Sequence, residues 1–560
     1  MNFKHLFLVL VVVGAVFLPS LGGSFVNWDD YDLVLGNGLV TAKPFSNFPH
    51  LFTTHLNGRY YPLALLTYQI EHYFFGFDPI IFHLTNLFLH LTNVALLFYL
   101  LSLLSVPFFI AGLTALLFGI HPLQVESVAW IASRKDVLFA LFYLAAIIFY
   151  FQSKTAPKPK NAYIFSIGLF VLSLFSKSSA ATLPAILLLI DYYRTGKITR
   201  DDVRNKIPFF LLALAHGLLT FYFLKGMMPA NQDYGLGRAF LLSNFALVLY
   251  IFKLIFPFHL SCIYPLPVSA QDLYNPVVWS ASLSAVLVLY LFWRSQVNRS
   301  VKIGMLFFVL AIFPTLHFFT INNAIIFERF VYLPSIGIFL LMAAGYDYFY
   351  RKNWLQGKLW LKGLGFAYVL FLGISSWSRC WVWQNSEALW TDAIAKYPNC
   401  AVGYFNRGSY YVEQNRMSEA FQDLERGQGV DPQDPRGDLQ MAYLYQKVGN
   451  LYAALEDYSR ALASRLISRP DKVKAYNNRG NLLADKGRTD EALKDYSQAI
   501  GIDPQSLLAY LNRGMIYVQR QEWSQALADF NAALKIQPDF PFAVQEKEFI
   551  LKKISSQQKH

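Results

Sequence analysis

Two adjacent carboxylates, Asp29 and Asp30, follow the first apolar segment of the chain in the motif Trp-Asp-Asp-Tyr-Asp. A carboxylate pair at a membrane surface is costly in free energy unless it is solvated, paired with a cation or used in function. One carboxylate could take a proton from an attacking hydroxyl while the other holds it in place, which is general-base chemistry. A solvated turn that caps the following helix is the alternative, and the motif by itself leaves both open.

The densest polar stretch of the apolar region runs from His121 to Asp136 and contains Glu126, Arg134 and Lys135. These charges cannot all lie in hydrocarbon, so they must line a cavity or the membrane interface. Paired cations would suit a lipid-linked phosphate, because arginine grips phosphate oxygens in a bidentate fork. The alternatives are an interfacial helix that holds lipid headgroups, or a surface pair of Arg134 with Asp136.

Two further motifs place cations between apolar segments. Lys177, in Phe-Ser-Lys-Ser-Ser-Ala, is either a phosphate contact or a snorkelling residue. Glu328 and Arg329 are adjacent, and either they pair with each other or Arg329 faces a donor phosphate. Basic groups and a carboxylate pair that converge on one membrane face would indicate a group transfer involving an anionic lipid.

A third set of polar residues follows Arg59 in the chain. His83, Asn86 and His90 have the spacing i, i+3 and i+7, so they share one helical face. Two histidines and an amide make a poor ligand set without a carboxylate. We therefore expect bundle-facing residues with satisfied hydrogen bonds, and the sequence implies no metal and no other cofactor.

The elements that must position these residues are apolar. Of the 560 residues, 55% are hydrophobic and 15% are charged, against about 25% charged in soluble domains, which excludes a single soluble globule. Segments long enough to cross a membrane lie near 4–21, 82–104, 106–121, 137–152, 161–176, 179–193, 207–224, 239–256, 276–293, 303–319, 330–348 and 359–376.

Four short loops carry 15 of the 26 basic residues before position 385 and should be cytoplasmic. Twelve crossings would put the last two of these loops on the wrong side. We expect 239–256 not to span, because it contains Ser243, Asn244 and Lys253. Eleven crossings then place the N-terminus in the cytoplasm and the C-terminal region in the periplasm or the lumen of an ER-type membrane. The net charge of +12 lies in these loops, unlike the basic face of a nucleic-acid-binding protein.

The C-terminal region is built from an internal repeat. Prolines recur at spacings of 34, 38, 34 and 34, at positions 398, 432, 470, 504 and 538. This period, with small residues at fixed positions, is the tetratricopeptide pattern. It predicts a domain at 385–560 after a membrane domain at 1–384, with a half-repeat helix, a capping helix near 541–554, and repeats at 401–432, 435–470, 473–504 and 507–538. Such an array offers a concave surface for an extended peptide; a spacer or a dimer contact is the alternative.

Several motifs occur here in one order: FVNWDDYDLVLGN, YYPLALLTY, FHLTNLFLHLTN, FGIHPLQVESVAWIASRKDVL, SKSSAATLP and ERFVYLPSIG, followed by the repeats. This order closely resembles the TMTC-type (transmembrane and tetratricopeptide-containing) protein O-mannosyltransferases and their bacterial relatives. The resemblance implies an all-α GT-C glycosyltransferase bundle followed by an α-solenoid. It also implies transfer of a mannose-like sugar from a polyprenyl-phosphate donor to a protein hydroxyl at the outer face.

Carried over by position, the resemblance makes Asp29 the general base and Asp30 its support. It makes Arg134, Lys135 and Arg329, the basic residues of the two matching motifs, contacts of the donor phosphate. From its position between apolar segments, Lys177 is expected to contact the same phosphate. The remaining residues expected to line the site are Arg59, His83, Asn86, His121, Glu126 and Glu328. Two positions depart from the family pattern. Relatives often have Tyr-Arg-Pro-Leu where this chain has Tyr60-Tyr61-Pro62-Leu63, and Lys-Glu where it has Lys177-Ser178.

The partners expected are therefore a polyprenyl-phosphate-linked sugar, membrane lipid and a protein acceptor held by the repeats. Two other functions are weighed against this one. A non-enzymatic membrane scaffold predicts that the outer polar residues can be changed without loss, and a single anchor helix would suffice for it. A lipid-linked-sugar flippase would need repeated halves and polar groups near the membrane midplane, which this sequence does not show.

Overall fold

The computed structural model describes residues 3–45, 48–53, 60–154, 159–224, 235–266, 299–318, 324–352, 358–537 and 540–557, with three single residues between 279 and 290. The described residues form two compact units: the first lies within 1–40, 47–226 and 230–397, and the second within 41–46 and 398–560. Within the described ranges both are helical, as predicted, and the extended pairing there is one isolated bridge between Pro265 and Ala324. Arg59 lies outside the described residues.

The first unit consists of long apolar helices joined by short ones. Its α-helices are α1 Phe3–Phe17, α2 Gly38–Thr41, α3 Phe48–Thr53, α4 Pro62–Phe75, α5 Pro79–Leu103, α6 Phe108–Ile120, α7 Val125–Ala129, α8 Arg134–Ser153, α9 Pro159–Ser176, α10 Leu183–Thr195, α11 Arg200–Arg204, α12 Ile207–Leu224, α13 Leu236–Ile255, α14 Arg299–Ile312, α15 Ser335–Arg351, α16 Lys358–Val382 and α17 Ser386–Lys396.

Local sequence explains where the important helices begin and break. The Asp78 side chain accepts a hydrogen bond from the Ile80 amide, with proline in the first turn, so α5 starts there. At His121 the chain leaves α6, and the His121 imidazole accepts a bond from the Leu123 amide. The chain changes direction at Pro122, so the segment Pro122–Ala129 makes a bend of 53° with the helix Phe108–Ile120. This break puts the polar stretch between α6 and α8 at the end of the bundle.

Seven described helices are long and apolar enough to cross a membrane, or eight if the bent pair counts as one span. The segment 239–256 is among them, as α13. Its polar residues do not interrupt the helix, because Ser243, Asn244 and Lys253 are all buried against the protein. The expected segments at 179–193 and 330–348 form α10 and α15, of 13 and 17 residues, and the segment 276–293 lies outside the described ranges.

Two of the helices cross at a pair of glycines. A Cβ atom at Gly337 would lie 2.2 Å from the Gly304 carbonyl oxygen, and one at Gly304 would lie 2.8 Å from the Gly337 carbonyl oxygen. Small residues allow helix backbones to approach this closely. The contact brings α14 and α15 together just after Arg329.

The second unit is a stack of paired helices, as the repeat predicts. The pairs are α18 Ala401–Glu413 with α19 Met417–Val430, α20 Pro435–Lys447 with α21 Leu451–Ala463, α22 Arg469–Asp485 with α23 Thr489–Ile502, and α24 Leu507–Gln519 with α25 Trp523–Ile536, followed by α26 Pro541–Gln557. The alanines of the repeat, such as Ala420 and Ala454, are fully buried where the helices of a pair meet.

The four extra residues of the 38-residue spacing lengthen the third pair. Helix α22 has 17 residues, whereas α20 and α24 have 13. Pro470 therefore does not end the helix before it, which is already over at Ala463. It sits in the first turn of α22, where Ser468 caps the Asp471 amide.

Candidate functional site

The acidic turn, residues 24–30, places its two carboxylates in different surroundings. Asp30 is buried, and its two carboxylate oxygens accept bonds from the Val26 amide at 2.8 Å and the Ala132 amide at 2.9 Å. Burial raises the pKa of Asp30 to about 7, although both amide bonds lower it. Asp29 is only half-buried. Asp30 thus ties the turn to the segment after α7, and Asp29 is the more exposed of the two carboxylates.

A tryptophan cluster surrounds the residue just before Asp29. The ring of Trp28 lies 5.3 Å from Trp130, 6.5 Å from Trp383 and 5.2 Å from Trp390, between ring centroids. The first two rings are nearly parallel to it, and the other three rings are buried. Aromatic rings of this size bury large areas in fixed orientations. The tryptophan cluster therefore supports the acidic turn rigidly.

Arg329 lies beside this cluster. Its guanidinium pairs with Glu126, whose second oxygen accepts a bond from the Arg329 amide at 3.1 Å. The guanidinium carbon also lies 4.1 Å from the Phe327 ring and 5.7 Å from the Trp28 ring. Glu126 is fully buried, while 11% of the Arg329 side chain is exposed. Arg329 therefore keeps access to the site while its position is fixed.

Glu328 does not pair with Arg329, so the simple adjacent pair considered from the sequence is wrong. Its carboxylate accepts a bond from the Tyr264 hydroxyl at 2.8 Å and lies 3.5 Å from the Arg379 guanidinium. Arg379 also donates to Asp392 at 2.8 Å. Burial raises the pKa of Glu328, and Arg379 opposes this effect. The two neighbouring residues thus join different parts of the unit.

Arg134 is fully enclosed by protein. Its guanidinium pairs with Glu71 and donates to Asn86 at 2.9 Å, to Thr67 at 3.3 Å and to the Phe82 carbonyl at 2.8 Å. The surface pair with Asp136 considered from the sequence does not form. Because the donors of Arg134 are engaged by the protein, its geometry favours holding α4, α5 and α8 together over contact with a phosphate.

Lys135 and Lys177 are also in the same region. Lys135 donates to the Ala132 carbonyl at 2.6 Å, and its ammonium nitrogen lies 5.1 Å from the Trp130 ring. Lys177 pairs with Asp136, which also accepts a bond from Ser133. The acidic partner that Ser178 does not supply thus comes from the motif that contains Arg134 and Lys135.

The polar face of α5 is directed into the bundle, as expected. Asn86 donates to the Trp130 carbonyl at 3.1 Å, and His90 contacts the Tyr332 hydroxyl at 2.7 Å and the Gly119 carbonyl at 3.0 Å. His83 is buried too, but neither of its ring nitrogens has a hydrogen-bond partner among the described residues, so the expectation of satisfied hydrogen bonds does not hold there. His121 contacts the Leu254 carbonyl at 3.2 Å. Among the described residues no three His, Cys, Asp or Glu side chains are grouped for a metal ion.

Residues of this arrangement that were not predicted from the sequence include Glu71, Arg379, Trp383 and Trp390. Glu71 and Arg379 could have been found, because each is a charge within an apolar helix, where an unpaired charge is expensive. The two tryptophans carry no such signal. They lie on either side of the predicted domain boundary, and α17, which the sequence analysis grouped with the repeats, belongs to the first unit.

These contacts bring the predicted motifs to one end of the first unit. Asp30 of the acidic turn bonds to the Ala132 amide, in the segment between α7 and α8. Arg329 pairs with Glu126, and Arg379 pairs with Glu328. We call this the site end. A second group of charges lies elsewhere in the unit, where Lys206 pairs with Asp191 and the Tyr150 hydroxyl donates to the same carboxylate at 2.7 Å.

The fold and the site define a helical protein with several membrane-capable helices, one charged bundle end and tetratricopeptide repeats. Comparison with known families matches the tetratricopeptide repeat to residues 401–434, 473–506 and 508–540.

Among curated proteins, the chain is 23% identical to human protein O-mannosyl-transferase TMTC3, over 90% of this chain and 61% of that protein. It is 23% identical to human TMTC4, over 73% and 64%, and 24% identical to human TMTC1, over 72% and 52%. Both of the latter are also named protein O-mannosyl-transferases. These relatives confirm the resemblance to TMTC-type proteins, and the chain spans about 61% of the length of the first of them.

Proposed function

We propose that the chain is a GT-C type membrane glycosyltransferase. It moves a mannose-like sugar from a polyprenyl-phosphate donor to Ser or Thr hydroxyls of a protein acceptor. The observation that carries this proposal is the acidic turn, in which half-buried Asp29 precedes a buried Asp30 that accepts two backbone hydrogen bonds. Asp29 also directly follows Trp28, whose ring centre lies 5.7 Å from the Arg329 guanidinium carbon. The curated relatives, all named protein O-mannosyl-transferases, support the same chemistry.

The reaction is a direct displacement. Asp29 takes the proton of the acceptor hydroxyl, whose oxygen forms a bond to the anomeric carbon of the sugar. The bond from that carbon to the phosphate oxygen breaks, and its electron pair leaves with the polyprenyl phosphate. The phosphate is a good leaving group, so the protein mainly positions the reactants and compensates charge.

The cations divide into two roles in this proposal. Arg329, Lys135 and Lys177 compensate the phosphate charge, because each keeps some exposed surface, whereas Arg134 has none. Arg134 instead holds the helices that carry them, since its donors are engaged by Glu71 and its neighbours.

The repeats bind the acceptor, and membrane orientation completes the proposal. A stack of helix pairs has an extended concave surface suited to a peptide. The proposal keeps the orientation that the four basic loops predict, with the N-terminus in the cytoplasm and the site end and the repeats in the periplasm or lumen. This orientation needs an odd number of crossings, so if α13 crosses the membrane, a different one of the twelve segments does not. Donor and acceptor then meet in one aqueous compartment.

The test is transfer of label from a tritiated polyprenyl-phosphate mannose to protein in membranes that contain the chain. Asp29→Asn should abolish transfer, while the amount of protein and the binding of donor stay near wild type. Asp32→Asn, in the same motif, is the matched control and should keep most of the activity. Transfer at the normal rate by the Asp29→Asn protein would rule out Asp29 as the base.

A further inference from the structure

Helix α17 directly precedes the repeats in sequence, yet it contacts the acidic turn. The Ser24 amide donates to the Gln384 carbonyl at 2.7 Å, just before α17 begins. Within the helix, the Ser386 hydroxyl accepts a bond from the Asn27 amide at 2.9 Å. The Trp390 indole N–H donates to the Asn27 side-chain oxygen at 2.8 Å. These groups are separated by about 360 residues of chain.

Asn27 is therefore held by both its main chain and its side chain. The two groups that hold it, on Ser386 and Trp390, belong to buried residues, at 2% and 0% exposure. Both hydrogen bonds are partly buried, and a hydrogen bond that is shielded from water is electrostatically stronger than one in water, so the two bonds restrain the position of Asn27. The next residue, Trp28, packs its ring on Trp390, which leaves Asp29 with little freedom at its N-terminal side.

The opposite side of the turn is held separately. Asp30 bonds to the Val26 and Ala132 amides and so fixes the turn against the segment before α8. Asp29 thus lies between two anchors, of which one belongs to the membrane bundle and the other to the helix that leads into the repeats. Loss of either anchor should move Asp29 without removing any group that touches the donor.

We propose that Ser386 and Trp390 are positioning residues that set the placement of Asp29 relative to the donor sugar. The inference rests on the proposed function, because placement matters for rate only if Asp29 is the base. A displacement of about 1 Å at a reacting group can cost about a hundredfold in rate. Removing one of two bonds to Asn27 should displace the turn by less, so we expect about a tenfold loss.

The experiment compares Trp390→Phe and Ser386→Ala with wild type in the full chain. Trp390→Phe keeps a ring in the cluster and removes the N–H that bonds to Asn27, and Ser386→Ala removes the hydroxyl that accepts from it. Trp381→Phe is the matched control, since this tryptophan lies nearby in the chain, in the last turn of α16, and is 52% exposed. Two measurements are made on each protein, the rate of mannose transfer against donor concentration and the hydrogen exchange of the peptide that covers residues 24–30.

Both variants should lose about tenfold in rate at saturating donor and keep the donor KM, and their exchange at residues 24–30 should increase. The control should match wild type in both measurements. A wild-type rate with wild-type exchange in both variants would overturn the proposal, as would a change in donor KM alone.

The exchange measurement separates this inference from the proposed function. If wild-type membranes transfer no label, the proposed function fails. Faster exchange in the variants would then still show that α17 holds the acidic turn, and unchanged exchange would overturn the anchor itself.

Discussion

Substituting Glu71 by Gln tests whether Arg134 is a structural cation. Glu71 is the counter-charge of Arg134, whose side chain has no exposed surface, while 9% of the Glu71 side chain is exposed. Glutamine has nearly the same shape as glutamate, so the substitution leaves no cavity. It removes the negative charge and leaves the guanidinium charge without compensation inside the protein.

The expected cost follows from the burial of this pair. Breaking a buried ion pair by removing one partner costs about 3–5 kcal/mol. Arg134 keeps its bonds to Asn86 and the Phe82 carbonyl, and the glutamine oxygen can still accept one bond. We therefore expect the lower end, about 3 kcal/mol, which is about a hundredfold in the folding equilibrium.

The assay is thermal unfolding of the purified full chain in mild detergent. The quantity measured is the fraction of protein that stays monodisperse at each temperature. Asp347→Asn is the control, because it breaks an ion pair with Arg351, whose side chain is 68% exposed. Such an exposed pair contributes about 0.5 kcal/mol. If the Glu71→Gln protein were as stable as the control but had a raised donor KM, the structural role would be refuted. Arg134 would then be assigned to binding of the donor phosphate, as the sequence predicts.

Arg329→Lys should raise the donor KM about tenfold with little change in thermal stability, because lysine keeps the charge but loses the planar fork; equal KM values would remove Arg329 from the phosphate site. Burial raises the pKa of Asp30 to about 7, so its protonated form stabilises the fold below about pH 4, and that contribution is lost as the pH rises through 7. The thermal midpoint of the wild-type protein should therefore fall between pH 4 and 7, and Asp30→Asn should make this fall smaller. An equal fall in the two proteins would contradict the prediction. In the repeats, Asp495 accepts two bonds from Arg479 at 2.8 Å, so Asp495→Asn should speed limited proteolysis of the full chain. Asp457→Asn should have less effect, since one Asp457 oxygen accepts no hydrogen bond from the described residues; the reverse order would contradict the pairing.

The predicted helices and repeats follow from local patterns. Apolar runs predict membrane-capable helices, and proline and alanine at a 34-residue period predict the helix pairs. Both predictions succeed because each helix, or each helix pair, forms within one short stretch of chain. Even here tertiary context intervened. The polar residues of α13 argued against a span, yet the fold buries all three of them against the protein.

The partners at the site were decided by packing. The sequence placed carboxylates and cations in the right motifs but could not match Glu126 with Arg329, which are 203 residues apart, or Arg134 with Glu71, which are 63 apart. It also drew a boundary through the contact between the acidic turn and α17. Types and local spacing of residues were determined by the sequence alone, because helix periodicity is a short-range property. Which charge is enclosed and which stays accessible was decided only when the helices packed, since burial depends on neighbours that are distant in the chain.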